Sequence, residues 1–405
     1  MTSGDPRPKH ATLLRRRGAH GHAKVTNIEL FFDLVFVFAV TQLSHHLLEH
    51  LDLRGAAETG LLFLAVWWVW IYTSWVTNWL DPDRAPVRIM LFAMMLAGLL
   101  LSAALPHAFD AEGPLFAIAY VLMQVGRTVF MVWALRREHA HRRRNFQRVT
   151  VWMLLSGCFW AAGCFASHDL RFALWMLAIA IEYAAALVGF WVPGLGRSAT
   201  TDWDIEGTHL AERCSLFIMI GLGESILVTG STAAGVPASA ATVTAFVAAF
   251  VSSVAMWWIY FNVGVERGAQ QIASAADPGR LGRLAYTYIH LLIVAGIIVS
   301  AVADELVLAH PAGHLETAAL LAFVGGPALF VLGNLWFKQA IWGRAPLSHL
   351  VGLVALGLLG VAPAVTHAIT PLALALLVTA VLVMVAVWET VSLQAVSRGE
   401  HQGTA

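Results

Sequence analysis

An all-α fold, a polytopic bundle of about twelve transmembrane helices built as two parallel six-helix repeats, is what this chain predicts. Three observations predict it. First, 59% of its 405 residues are hydrophobic and 12% are charged, against roughly 25% charged in an ordinary soluble domain. Second, apolar runs of about 18 residues or more recur along nearly the whole chain, and that is the length a helix needs to cross hydrocarbon. Third, the basic residues are segregated. With twelve spans and a cytoplasmic N-terminus, only Arg54 and Arg171 of the 25 Lys and Arg fall in loops on the far side. Arg127 and Arg213 fall within spans, and the rest, Lys338 included, fall on the cytoplasmic side. The positive-inside rule expects this bias. An odd number of spans would scramble it.

Residues 1–24 are polar and basic and read as a cytoplasmic tail. The apolar run that follows is too long for a signal-peptide core, so the first span is expected to be an uncleaved anchor. That span, about 25–50, opens on Glu29-Leu30-Phe31-Phe32-Asp33-Leu34-Val35-Phe36-Val37-Phe38, two acids at the mouth of an apolar helix. Spans follow at about 57–80, 84–106, 113–137, 147–166 and 170–192, completing a first repeat over 25–192. The basic run Arg136-Arg137-Glu138-His139-Ala140-His141-Arg142-Arg143-Arg144 separates the fourth and fifth spans. Its expected role is to fix topology and touch anionic lipid headgroups, and no nucleic-acid partner is expected. The turn Ser167-His168-Asp169 divides the fifth and sixth. A cytoplasmic linker at 193–207 leads to the second repeat, 208–394, with spans at about 208–232, 238–263, 280–306, 315–342, 347–367 and 370–394. The turn Thr366-His367-Ala368-Ile369-Thr370-Pro371 divides the last two. Residues 395–405 form a cytoplasmic tail. Both termini are therefore expected inside a bacterial inner membrane.

The repeat rests on three matches in common order. The segment from Glu29 aligns with Glu212-Arg213-Cys214-Ser215-Leu216-Phe217-Ile218-Met219-Ile220-Gly221. Trp67-Trp68-Val69-Trp70-Ile71-Tyr72 aligns with Trp257-Trp258-Ile259-Tyr260, and Ala180-Ile181-Glu182-Tyr183 with Val387-Trp388-Glu389-Thr390. Six spans per half is an even number, so the halves share orientation. Transporters with parallel repeats of this kind carry a site between the halves.

The stretches Glu29 to His45 and Glu212 to Ser225, with Trp257-Trp258-Ile259-Tyr260 and Tyr288-Ile289-His290-Leu291, resemble the bacterial low-temperature-requirement protein A family. The resemblance covers most of the chain. It implies a multi-pass inner-membrane protein linked to growth in the cold. It supplies no reaction, substrate or cofactor, and so no catalytic roles to carry over.

The chemistry is therefore read from ionisable groups within spans, where a charge costs several kcal/mol unless it faces water, protein or a partner. Glu29 and Asp33 lie one turn apart on one helix face, which Thr41 and His45 continue. Both acids are candidates to line an ion or proton path, and Glu29 equally suits a helix N-cap. Glu224, in Gly221-Leu222-Gly223-Glu224-Ser225, lies deep in the seventh span, where the glycines allow close approach or a local break. It competes with a reading as a buried structural carboxylate. Arg127 needs an acid, with Glu182, Glu224 and Glu389 available, and such a pair serves as a structural lock at least as readily as a site. Glu212 and Arg213 read as an ion pair at the start of their span. His290 is a candidate proton relay, or a hydrogen-bonded packing histidine.

Other motifs fail. The histidines lack zinc-enzyme spacing, and Cys158, Cys164 and Cys214 lack C-x-x-C spacing. A phosphate-cradling G-x-x-x-x-G-K-[ST] is absent, which disfavours a self-contained ATP-driven pump, and Gly-x-Ser-x-Gly is absent too. No catalytic residue, metal or cofactor is expected, and the chain is not expected to be an enzyme. The leading expectation is a secondary transporter or ion pathway for an unidentified small solute or ion. Its polar interior would hold Asp33, Glu224, Arg127 and Glu182. The alternative is a non-transporting membrane protein that supports cold growth through membrane state or partner scaffolding.

Overall fold

The computed structural model describes residues 12–15, 24–137, 140–199, 202–203, 206–262, 277–366 and 369–402, the side chains of 278, 362–366 and 395–402 excepted. Glu138, His139, His367 and Ala368 lie outside the described residues, as do Arg7, Lys9, Arg16, Arg17 and Arg267 among the basic residues counted on the cytoplasmic side. Among the described residues there is no strand, only isolated bridges such as Leu14 to Leu80.

The first six long helices are α1 (Asn27–Glu49), α2 (Leu53–Trp79), α3 (Ala85–Ala104, closing in the 3-10 turn Leu105–His107), α4 (Gly113–Ala134), α5 (Ala140–Cys164) and α6 (His168–Leu187). The next six are α7 (Gly207–Gly235), α8 (Ala240–Phe261), α9 (Gly279–Ala309), α10 (Thr317–Trp342), α11 (Leu347–Thr366) and α12 (Pro371–Gln402). Each falls on one of the sequence-predicted spans. Ten are long and apolar enough to cross a membrane. The other two are α5, which opens on Arg142, Arg143, Arg144 and Arg148, and α11, whose described apolar stretch, Leu347–Val361, is short.

Local chemistry sets the ends. Asp52 caps α2 by accepting from the Gly55 N–H at 2.7 Å, and Ser239 caps α8 by accepting from the Thr242 N–H at 3.1 Å. α3 and α4 carry Pro in their first turn, where no intrahelical N–H is needed. α10 stops at Gly343, whose φ of 68° is the left-handed cap that glycine adopts freely.

The neighbours of the first six helices recur in the last six. α1 packs on α2 and α3, as α7 packs on α8 and α9. The run α3, α4, α5, α6 packs in succession, as does α9, α10, α11, α12. α2 touches α4 and α6, and α8 touches α10 and α12. The two sets meet where α1 packs on α7 and α9 and α2 on α7.

α2 is the central post. It buries 83% of its most apolar stretch, the largest share of any span. Trp67, Trp68 and Trp70 are fully buried, whereas Trp257 and Trp258 on α8 are exposed on the outer surface of the bundle. The tightest seam is α9 on α10. A Cβ built on Gly326 would lie 2.6 Å from the Ser300 nitrogen, and one on Gly296 would lie 2.5 Å from the Phe330 nitrogen. Only residues without a Cβ permit that backbone approach, the usual device where water does not drive helices together.

Candidate functional site

The densest charge cluster lies where α1, α2 and α7 meet. Glu29, Asp33, His209 and Arg213 are all completely buried there. Arg213 donates from Nη2 to Asp33 Oδ1 at 2.6 Å and from Nη1 to Glu29 Oε1 at 3.2 Å. The same Nη1 lies 3.2 Å from the Thr77 hydroxyl. Trp70 adds its indole N–H to Asp33 Oδ1 at 2.7 Å. Spacing explains the reach: Glu29 and Asp33 are one turn apart on α1, so a single guanidinium fork spans both.

Glu29 has more partners than Asp33. It accepts from the Thr26 N–H and hydroxyl, each at 2.9 Å, which makes it part of the α1 cap. Arg15 donates to its Oε2 at 2.8 Å, and His209 Nε2 lies 2.9 Å from its Oε1. The Asn78 amide nitrogen sits 3.3 Å from His209 Nδ1, and Arg15 Nη2 lies 3.2 Å from His209 Nε2. Arg15 arrives on the N-terminal segment, whose backbone pairs with Trp79 and Asp81 just past α2, and its Nε also donates to the Thr77 and Leu80 carbonyls. Two carboxylates thus face two guanidiniums, and the charges balance. One acceptor is left over: Asp33 Oδ2 is buried without a hydrogen-bond partner.

Farther along α1, the Thr41 hydroxyl donates to Glu224 Oε1 of α7 at 2.6 Å. Both residues are half-buried. No ion pair reaches Glu224 among the described residues. Thr41 of the α1 polar stripe thus reaches α7, and Glu224 is held there by a neutral hydroxyl rather than by a cation.

Glu182 and Arg127 form a separate cluster, built from α4, α5 and α6 against α2. Glu182 is completely buried and accepts from Tyr120 at 2.6 Å, Gln124 at 2.9 Å, Ser156 at 2.6 Å and Trp160 at 3.2 Å. Arg127 does not reach Glu182. It donates to the Gln124 side-chain oxygen, and its Nη1 lies 3.0 Å from both the Val69 carbonyl and the Thr73 hydroxyl of α2. The expected direct pairing of Arg127 with a carboxylate is therefore corrected: Gln124 bridges the two because its amide can donate to one and accept from the other. The expectation of one polar interior holding Asp33, Glu224, Arg127 and Glu182 is corrected too. Among the described residues no hydrogen bond or ion pair joins Arg127 and Glu182 to Asp33 or Glu224.

Three further readings change. Glu212 does not pair with Arg213. Glu212 is exposed and accepts the Val25 N–H at 3.2 Å, while Arg213, one residue on, is buried against α1. Lys338 is not a cytoplasmic loop residue. It is buried in α10 and donates to Glu389 of α12 at 2.6 Å and to the Ile259 carbonyl of α8 at 2.8 Å, with His349 Nε2 at 3.3 Å. Glu389 is thereby taken as an Arg127 partner no longer. His290 sits where a π-helical turn, Arg283–Ile289, meets the rest of α9. Its Nε2 lies 2.8 Å from the Tyr260 hydroxyl and its Nδ1 2.8 Å from the Ala285 carbonyl, so the ring is satisfied within the core.

Sequence reading missed Lys338, His209, Arg15 and Asp304. Lys338 and His209 lie near span ends and look like interfacial residues. Arg15 looks like one more tail charge. Asp304 in Ala303-Asp304-Glu305 was visible as an acid inside α9, and its Oδ2 is buried without a partner.

A family model described as bacterial low temperature requirement A protein matches residues 24–387. An uncharacterized protein of Rhizobium meliloti (strain 1021) is 39% identical over 395 residues, covering 98% of this chain and 96% of that protein. No solved structure matches.

Proposed function

The chain belongs to the bacterial low-temperature-requirement A family, and from that premise we propose that it is a secondary transporter or ion pathway whose route follows the contact of α1 with α7. The observation that carries this reading is Glu224, a half-buried carboxylate deep in a spanning helix, held across that contact by Thr41 and by no cation among the described residues. An intramembrane acid without a counter-charge is a natural stop for a proton or a cation. The Glu29, Asp33, Arg213 and Arg15 cluster closes the same interface nearer the N-terminal end of α1. In this reading it is a gate: protonation of Asp33, for which Oδ2 has free lone pairs, removes half of its grip on Arg213.

Twelve spans, both termini cytoplasmic in the inner membrane and two parallel repeats go with this reading. The recurring neighbour pattern supports the repeat. So does a shared polar motif: a cation on the fourth helix of each set, Arg127 or Lys338, donates to a carbonyl of the second helix, Val69 or Ile259. Val69 and Ile259 are the positions that the tryptophan motifs align. An acid on the sixth helix, Glu182 or Glu389, completes each set. The partners are the bilayer, with anionic headgroups at the basic connection before α5, and an unidentified small solute or ion. No enzymatic step is proposed.

The experiment is a flux screen of protons, metal cations and small solutes in proteoliposomes. Gradient-dependent flux is expected in the native protein and its loss in Glu224→Gln and Asp33→Asn. Flux unchanged in both variants would sink the assignment. The fully satisfied charges on Glu29 favour a second reading, a non-transporting membrane protein that supports cold growth through membrane state or partner scaffolding. It expects no flux from any gradient.

A further inference from the structure

A narrow cavity opens on the side of α2 that faces away from Asp33. It is a thin slot, only partly enclosed. α2 lines it with Trp68, Tyr72, Trp75 and Trp79, and α9 supplies Arg283 and Tyr288. Trp203, from the connection into α7, lies 6.0 Å from Trp75 and 5.6 Å from Trp79, ring centre to ring centre, and closes one end. The remaining lining is apolar or aromatic apart from Thr287.

Three observations say that this is a built site rather than a packing fault. The α9 wall is the π-helical turn Arg283–Ile289. At that wider pitch Arg283 and residues 287 and 288 fall in one column, and π turns recur at functional sites. The turn is held to α2 by two indoles, since Trp67 donates to the Thr287 carbonyl at 2.7 Å and Trp75 to the Thr287 hydroxyl at 3.1 Å. Finally, polar atoms on the lining are unused. Trp68 is completely buried, yet its Nε1–H has no acceptor, and the Tyr288 hydroxyl has no partner either.

The charge on the lining chooses the ligand. Arg283 donates to the Ala186 carbonyl at 3.3 Å and enters no ion pair among the described residues. No Asp or Glu lines the cavity. An organic cation would gain from the ring faces but would meet Arg283 without an acid to offset it. A flat anion meets the opposite balance. Its ring stacks on the aromatic walls, its carboxylate takes the guanidinium fork, and the indole and phenol N–H and O–H serve its remaining lone pairs. We propose that this cavity between α2 and α9 binds a flat aromatic carboxylate, stacked on the α2 tryptophans with its carboxylate on Arg283. The proposal stands apart from the transport reading, because the residues differ and binding needs no gradient.

The test uses the full chain in detergent and 2-naphthoate as the probe, followed by equilibrium dialysis and tryptophan quenching. Saturable binding is expected. Cyclohexanecarboxylate, which lacks the ring, and a naphthylmethyl trimethylammonium, which reverses the charge, are each expected to bind at least tenfold more weakly. Arg283→Gln is expected to weaken naphthoate at least tenfold, and Tyr288→Phe severalfold with the fold untouched. Glu224→Gln is expected to leave binding unchanged while abolishing flux, which separates this site from the proposed route. Equal binding of the three probes, or no saturable naphthoate binding, would overturn the proposal. So would naphthoate binding unmoved by both Arg283→Gln and Tyr288→Phe in monodisperse protein.

Discussion

At the level of single residues, the buried charges divide by how completely they are answered. Lys338 and Glu389 are a closed pair in a core that excludes water, with the Lys338 ammonium on both carboxylate oxygens at 2.6 Å and 2.7 Å. Removing one member leaves the other charged and unpaired, which costs on the order of 3–5 kcal/mol, whereas replacing both with apolar groups of similar size is often neutral. Lys338→Met alone should therefore lower the melting temperature in detergent sharply, and Lys338→Met with Glu389→Leu should recover most of it. A double variant as unstable as the single would deny the pair its structural role. Asp33 differs because one of its oxygens has no partner. Its Asn variant keeps a hydrogen-bonding group beside Trp70 and leaves Arg213 a bond to Glu29, so it should fold more readily than Lys338→Met. Comparative yield of monodisperse protein measures this. The sequence exposed Glu29, Asp33, Glu224 and Arg127 because each interrupts an apolar run. It could not pair them, since Arg213 reaches Asp33 across 180 residues of chain and neither residue's own neighbours record that contact.

At the level of helices, periodicity and turn residues located every long element, because a bilayer imposes one length and one composition on whatever crosses it. Which face of a helix turns inward was less legible. Trp67-Trp68 and Trp257-Trp258 read alike, yet the first pair is core and the second is on the outer surface, since α2 reaches α7 whereas α8 lies outside the contact between the two sets. Glycines were equally ambiguous. Gly325 and Gly326 are adjacent in α10, but a Cβ on Gly325 meets nothing within 4 Å, while one on Gly326 strikes the α9 backbone. Gly325→Ala should stabilise α10 by about 0.5–1 kcal/mol through helix propensity. Gly326→Ala should destabilise the protein because α9 and α10 must part. Thermal unfolding of the two variants checks the opposite signs, and destabilisation of equal size in both would place the α9 seam elsewhere.

At the level of the whole molecule, the chain joins two sets of six helices with matching neighbours around α1, α2, α7 and α9. The proposed twelve crossings would put both termini on one side. Reporter fusions that fluoresce only in the cytoplasm and others active only outside should agree on a cytoplasmic location for each end, and opposite locations would remove one span from the count. In the proposed route, the contact of α1 with α7 opens to water around Thr41 and Glu224. The most direct measurement is modification of a cysteine at position 41, in a background with Cys158, Cys164 and Cys214 replaced, by a small membrane-impermeant thiol reagent applied from either side of sealed vesicles. It requires no knowledge of the cargo. Modification from at least one side is expected, with a rate that changes when a proton gradient is imposed. A cysteine unreactive from both sides under every gradient, yet fully reactive after unfolding, would contradict it.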